Sequence, residues 1–170
     1  MRIILIGFMG CGKSTIGKRI AKLLAIPFID SDSEIERIHK KTIPQLFEEL
    51  GESGFRQLEK EFILSLSSFD NFVLATGGGL PCFNNTMELL NQLGTTIYLR
   101  RPSKELARRL IKSKTERPLI KGKTFDELVP FIDSMLEKRE EFYLKSVHVA
   151  PRTVDKPAVI LDFIGINQKN

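Results

Sequence analysis

The feature that most constrains the fold is a glycine-rich segment near the N-terminus, residues 7–15, with the sequence GFMGCGKST. It matches the pattern G-x-x-x-x-G-K-[ST], in which backbone amides close around phosphate oxygens and a helix N-terminus adds partial positive charge. An apolar run typical of a buried strand, residues 2–6, precedes it, and apolar residues at helical spacing follow it. Because this strand–loop–helix context is the one that the chemistry requires, the segment predicts a phosphate-binding loop rather than a structural turn.

Individual residues of this loop have separate expected tasks. Lys13 should reach the outer phosphates of a nucleotide, and the Ser14 hydroxyl should hold Mg²⁺. The predicted phosphate-binding set is Gly10, Cys11, Gly12, Lys13, Ser14 and Thr15.

Apolar runs alternate with helix-like segments along the rest of the chain. The five predicted strands cover about residues 2–6, 26–29, 72–75, 95–99 and 147–149. Alternation of this kind predicts an α/β fold in which helices cover both faces of a parallel sheet, here as a single domain of 170 residues. Ligands bind at the carboxyl ends of such strands, so the segments that follow strands 1, 2 and 3 should face one cleft.

Capping and glycine signals predict several helix boundaries. Thr42 should begin a helix that ends at Gly51, and Ser103 should cap another helix. A long amphipathic helix is predicted over residues 124–144, with Pro130 marking either a kink or a break between two helices.

Two carboxylates, Asp30 and Asp32, follow strand 2 directly. Aspartate is common at helix N-caps, which would explain one of them without any function. A nucleotide enzyme also needs a carboxylate near its metal, and strand 3 ends in Thr76 and glycines with no acid. We therefore favour catalysis or metal binding for this pair.

The other candidate features are glycines and arginines. Gly77, Gly78 and Gly79 follow strand 3, where backbone approach to a ligand is favoured over a flexible turn. Arg56 has Glu59 three residues later to orient it. Arg117 precedes a proline in a polar, basic loop and is interpreted as a lid arginine over the nucleotide. The basic pair at residues 138–139 lies on the predicted long helix and could be no more than surface charge.

Charge and composition exclude several classes of protein. The net charge is +5, from 26 basic and 21 acidic residues, but like charges occur as doublets such as residues 100–101 and 108–109 rather than in long runs. Most doublets are interpreted as solvated helix faces, and a nucleic-acid partner is not indicated. No apolar stretch approaches the ~18 residues of a membrane span, and no signal peptide is expected. Two cysteines without metal-ligand spacing indicate a reducing, cytoplasmic setting.

Residues 7–15, 30–32, 54–59, 76–79 and 117–119 together resemble the motifs of the shikimate kinase family. Their order and spacing are similar to that family from residue 2 to about residue 160. The resemblance implies a three-layer α/β/α fold of the P-loop NTPase type, like that of nucleoside monophosphate kinases, with five parallel strands in the order 2-3-1-4-5. It also implies a substrate-binding subdomain at about 31–60 and a lid at about 111–123.

The resemblance implies an activity as well: transfer of the γ-phosphate of ATP to the 3-hydroxyl of shikimate, within aromatic amino-acid biosynthesis. We also expect a monomer. Catalysis is assigned to Lys13, Asp32 and Arg117, and ATP binding to the loop 10–15 with Arg117. Mg²⁺ is assigned to Ser14 and, through water, Asp30. The acid substrate is assigned to Asp32, Arg56, Gly77, Gly78, Gly79 and Arg139.

Several alternatives stay open at this point. The acceptor could be another small hydroxylated metabolite such as gluconate, or the chain could be a nucleotide-binding module that has lost catalysis. Asp32 could act as a general base or only orient the reacting hydroxyl. Cys11 and Cys82 could be reactive thiols bordering the cleft or two inert small side chains.

Overall fold

The computed structural model describes residues 1–113, 118–150 and 156–166. Arg117, predicted as a lid arginine, lies outside these ranges. The strands are β1 (Arg2–Ile6), β2 (Phe28–Asp30), β3 (Phe72–Ala75), β4 (Thr95–Leu99) and β5 (His148–Ala150). The α-helices of the described residues are α1 (Lys13–Leu24), α2 (Ser31–His39), α3 (Ile43–Ser65), α4 (Thr86–Leu93), α5 (Ser103–Lys112), α6 (Phe125–Tyr143) and α7 (Pro157–Phe163).

The five strands form one parallel sheet in the order β2-β3-β1-β4-β5. Strand β1 lies at the centre, and its four residues from Ile3 to Ile6 have no exposed surface. An unbroken apolar run suits this place because both faces of a central parallel strand are covered. The predicted sheet and its implied strand order are confirmed. The loop that follows β1 consequently has the loop that follows β3 as its neighbour.

Helices cover both faces of the sheet, which confirms the three-layer architecture. In α1 the buried side chains include Ile16 and Ile20, which stand four residues apart on one face. Helix α1 packs with α7, and α5 packs with α6. No helix in the described ranges is long and apolar enough to span a membrane.

The capping signals around α3 are confirmed. The Thr42 side chain accepts a hydrogen bond from the Gln45 amide, while the Gln45 side chain accepts one from the Thr42 amide, which forms a capping box. Gly51 interrupts the helix with φ 64° and ψ −178°, so α3 consists of two helical segments joined at the predicted glycine. A φ in this region is one that glycine adopts without a steric penalty.

Two boundary predictions need correction. Ser103 is the first residue of α5 rather than its cap, and Pro102 occupies the capping position without a side-chain hydrogen bond. The fixed φ of Pro102, −62°, already directs the chain into the helix. Helix α6 begins after a capping box made by Thr124 and Glu127, and it continues through Pro130, so of the two alternatives for Pro130 the break between two helices is wrong.

Candidate active site

The phosphate-binding loop connects β1 to α1, as its sequence predicts. Gly10 and Gly12 have φ of +81° and +102°, a region that disfavours any side chain. The Lys13 ammonium is buried beneath the loop and donates hydrogen bonds to the carbonyl oxygens of Gly7, at 2.7 Å, and Phe8, at 3.1 Å. Two loop carbonyls therefore hold the lysine beside the backbone whose amides would bind a nucleotide phosphate.

A second contact links the loop to the end of β2. The Ser14 hydroxyl donates to Oδ2 of Asp30 at 2.7 Å, and Oδ1 of Asp30 accepts a weak hydrogen bond from the Ser33 amide at 3.5 Å. Asp30 is therefore both the N-cap of α2 and the partner of the predicted metal ligand. No cluster of three or more acidic, histidine or cysteine ligands occurs in the described residues. One hydroxyl and one carboxylate fit Mg²⁺, which keeps most of its waters and shares phosphate oxygens.

Asp32 lies in the first turn of α2, against the glycines that follow β3. A Cβ atom at Gly77 would lie 2.5 Å from Oδ1 of Asp32, and the Gly77 amide donates to the Ser31 hydroxyl at 2.8 Å. Burial raises the pKa of Asp32, the charge of Asp30 adds to this, and the charge of Lys13 opposes it. Asp32 therefore lies against the glycines after β3 and close enough to Asp30 and Lys13 for their charges to act on its pKa.

Arg56 occupies the adjacent position, on the second segment of α3. Its Nη1 donates to Oε2 of Glu59 at 2.7 Å, and both side chains are almost fully buried. The guanidinium lies over the Phe83 ring, 4.1 Å from its centroid, and a Cβ atom at Gly79 would lie 2.9 Å from Arg56 Nη2. Burial raises the pKa of Glu59 to about 7, although the charge of Arg56 opposes this shift. The predicted contact between Glu59 and Arg56 is present.

Gly78 forms the junction between these groups and the phosphate loop. A Cβ atom at Gly78 would lie 3.4 Å from the Met9 amide nitrogen and 3.8 Å from Nη1 of Arg139. Arg139 is half-buried and lies near the Phe8 ring, whereas its neighbour Lys138 is exposed. The surface-charge interpretation therefore holds for Lys138 but is wrong for Arg139.

Some residues at the site carried no assignment from the sequence. Phe83 and Tyr143 contact Arg56 and Gly78, respectively, but a lone aromatic residue gives no signal of such a role. Arg101 is only 5% exposed and pairs with Glu105 at 3.3 Å, so the solvated-face interpretation is wrong for it. Arg109 lies beside Gly12 and lines an open cavity of about 320 Å³ next to the loop. Its spacing of four from Glu105 was the available clue.

The two cysteines lie in the same region. Cys11 is 1% exposed, with its sulfur beneath the loop near Gly7. Burial raises the pKa of the Cys82 thiol to about 11, so this thiol is protonated at neutral pH. Both observations favour the inert interpretation, because thiol reactivity requires an accessible thiolate.

Comparisons with known proteins agree with this arrangement. A family model described as shikimate kinase matches residues 9–165. A curated shikimate kinase from Bacteroides thetaiotaomicron is 46% identical over 149 residues, which cover 88% of this chain and 85% of the relative.

Solved structures give the same result. A shikimate kinase structure from Bacteroides thetaiotaomicron has a TM-score of 0.92 and 40% identity, covering 97% of this chain and 98% of the other. A shikimate kinase from Acinetobacter baumannii, solved in complex with shikimate, has a TM-score of 0.81 and 34% identity, covering 96% and 89%. On the strength of both sequence and fold, this chain belongs to the shikimate kinase family.

Proposed function

We propose that this chain transfers the γ-phosphate of ATP to the 3-hydroxyl of shikimate and so forms shikimate 3-phosphate in the shikimate pathway of aromatic amino-acid biosynthesis. The observation that carries the proposal is the contact between two sites at Gly78. A Cβ atom at this glycine would lie within 4 Å of both the phosphate loop, at the Met9 amide nitrogen, and Nη1 of Arg139. Donor and acceptor would therefore bind next to each other, as in-line transfer requires.

The charges of the second site suit a hydroxylated carboxylic acid. Arg56 and Arg139 present planar guanidinium groups, which bind a carboxylate through two parallel hydrogen bonds. Asp32 offers a carboxylate acceptor for a substrate hydroxyl. Gly77 and Gly79 let the chain pass close to these groups, because a Cβ atom would clash with Asp32 at Gly77 and with Arg56 at Gly79.

The chain's own residues supply the elements of phosphoryl transfer. The substrate hydroxyl oxygen forms a bond to the γ-phosphorus while the bond from phosphorus to the bridging oxygen of ADP breaks. Asp32 accepts the hydroxyl proton, and its raised pKa makes it a better proton acceptor near neutral pH than an ordinary carboxylate. Lys13 and Arg117 balance the charge on the transferring group. Ser14, with Asp30 through water, would hold Mg²⁺, which neutralises phosphate charge when bound.

The remaining expectations form part of the same proposal. Residues 31–60 form the substrate-binding part and residues 111–123 the lid, within a single domain. ATP and the acid are its partners, with no nucleic acid or membrane, and the protein acts as a monomer in the cytoplasm. A module without catalysis would lack part of the catalytic set. Within the described residues Lys13, Ser14, Asp30 and Asp32 are all present.

The direct test measures ADP release across a panel of hydroxylated acids, with and without Mg²⁺. We expect turnover with shikimate to exceed that with gluconate or a nucleoside monophosphate, and to depend on Mg²⁺. A better rate with gluconate would contradict the acceptor assignment while leaving the fold and the phosphate loop in place. The absence of turnover with every acid would favour the non-catalytic module.

The second prediction separates the two aspartates. Asp32→Asn should lower turnover by roughly 10²–10⁴-fold with little effect on the affinity for ATP–Mg²⁺, or by less if the carboxylate only orients the hydroxyl. Asp30→Asn should instead weaken Mg²⁺ binding at Ser14, so that a raised Mg²⁺ concentration partly restores activity. The measurement is turnover across a magnesium titration, with ATP–Mg²⁺ affinity determined separately. Rescue of Asp32→Asn alone would reverse the assignment.

The third prediction concerns the two guanidinium groups. Arg56→Lys and Arg139→Lys keep the positive charge but lose the planar guanidinium that makes two parallel hydrogen bonds to a carboxylate. Each variant should therefore raise KM for shikimate by roughly ten-fold or more and leave KM for ATP within about two-fold. Arg37→Lys is a matched control, because Arg37 is exposed and pairs with Glu34 outside the site. Equal effects on both KM values would place the two arginines outside the acid site.

The fourth prediction follows from Glu59. Its pKa is about 7 in the folded chain against 4.5 in the unfolded chain, so the folded state binds the extra proton between these values. The free energy of unfolding should therefore fall as pH rises from 4.5 to 7, by roughly 2–4 kcal/mol relative to a Glu59→Gln variant. Urea denaturation of both proteins at several pH values measures this difference.

Arg56, Asp32 and Arg139 are the charged neighbours of Glu59, and they are present in both proteins. Glu61→Gln is the control, since Glu61 lies exposed on the same helix and accepts a hydrogen bond from the neighbouring Gln57 side chain. A difference between the wild type and Glu59→Gln that stays constant with pH would show that burial does not govern this carboxyl.

A further inference from the structure

Tyr143 is a buried residue at the site to which the proposed mechanism gives no task. It is the last residue of α6 and has no exposed surface. Its hydroxyl donates to the carbonyl oxygen of Gly78 at 2.5 Å, across 65 residues of sequence. Buried tyrosine hydroxyls usually have a hydrogen-bond partner. Here the partner is Gly78, one of the glycines assigned to the acid site.

The arginine of the site lies close to the same glycine, with Nη1 of Arg139 3.8 Å from the position that a Cβ atom at Gly78 would take. Burial raises the pKa of Tyr143, and the positive charge of Arg139 opposes this shift. A phenol has one proton to donate and lone pairs to accept with. Tyr143 donates its one proton to Gly78, and the Arg139 guanidinium lies beside the same glycine, so the hydroxyl and the guanidinium meet at Gly78.

The geometry of α6 brings the Tyr143 and Arg139 side chains to the same side of the helix. Arg139 and Tyr143 stand four residues apart on α6, so they lie on the same face of the helix, one turn apart. Between them Glu140 faces β4, where its Oε1 accepts from the Tyr98 hydroxyl at 3.1 Å and from Arg100 Nε at 2.8 Å. Glu140 holds the helix against the sheet, and Tyr143 holds it against the glycine segment.

We infer that Tyr143 is a positioning residue for the acid substrate: it fixes the Arg139 guanidinium and the Gly78 carbonyl relative to each other, and so sets the affinity for the substrate carboxylate. The inference rests on the proposed function, because it assigns Arg139 to the acid. It concerns the acid rather than ATP, because the Tyr143 hydroxyl bonds to Gly78 in the segment that follows β3.

The test replaces the hydroxyl and keeps the ring. Tyr143→Phe should raise KM for shikimate by roughly ten-fold, the effect of a lost hydrogen bond to a buried group, and leave KM for ATP within about two-fold. Tyr98→Phe is the matched control. Its ring is equally buried and lies 5.2 Å from the Tyr143 ring, but its hydroxyl contacts Glu140, which Arg100 still holds after the substitution. Both KM values of Tyr98→Phe should stay within about two-fold of wild type.

A double variant tests whether Tyr143 affects shikimate binding through Arg139. If Tyr143 acts through Arg139, the rise in KM for shikimate in Tyr143→Phe/Arg139→Lys should be clearly smaller than the product of the two single rises. A rise equal to that product would show that Tyr143 acts independently of Arg139. Shikimate affinity measured by titration at about 10 °C serves as a second readout if Tyr143→Phe is less stable than the wild type.

Besides an additive double variant, three results would overturn the inference: an unchanged KM for shikimate in Tyr143→Phe, equal rises in both KM values, or equal rises in Tyr143→Phe and Tyr98→Phe. Failure of the proposed function is a different outcome, visible in the wild type as preference for another acceptor. In that case the same comparison is made with the preferred acceptor, so the role of Tyr143 is still tested.

Discussion

The close approach of Gly78 to the phosphate loop is the constraint on which the site depends. Strands β1 and β3 are parallel neighbours, with Leu5 opposite Ala75, so the segments that follow them leave the sheet side by side. The Gly78 backbone then lies next to Gly7 and Met9, so that a Cβ atom at Gly78 would already be in van der Waals contact with both. Under the proposed function, the phosphate donor would bind on one segment and the acceptor on the other. The fold would then hold the two reactants within reach, and entropy that a bimolecular reaction would lose is lost during folding instead.

The charged groups of the site are held in place by one another. Burial raises the pKa of both Asp32 and Glu59, and the cations Lys13, Arg56 and Arg139 are the groups that oppose these shifts. A site with buried charges of one sign would be unstable, because desolvation of an unpaired charge is costly. Mutual pairing keeps the cations ordered before any anion binds, which lowers the entropic cost of binding.

The sequence could predict the parts of the site that are contiguous in the chain. The phosphate loop, Asp30 with Asp32, and Gly77–Gly79 each follow a strand, so the rule for parallel sheets was enough to bring them together. Arg139 could be assigned to the site only through the family resemblance, because it lies 61 positions after Gly78 in the chain (139 − 78). Its neighbour Lys138 is also basic, so the local sequence does not show which of the two faces the site. Phe83, Arg101 and Tyr143 could not be predicted, since their contacts depend on how α5, α6 and the turn after β3 pack.

The two aspartates make different contacts because they lie on either side of the N-terminus of α2. Asp30 is the N-cap of α2 and has extended backbone angles, φ −113° and ψ 119°, whereas Asp32 lies inside the first helical turn. The change from extended to helical backbone between them turns their side chains in different directions. Asp30 reaches Ser14 on α1, and Asp32 reaches Gly77 after β3. Capping therefore does not exclude a second task for Asp30: the residue that begins the helix also fixes which carboxylate faces Ser14 and which faces the glycines after β3.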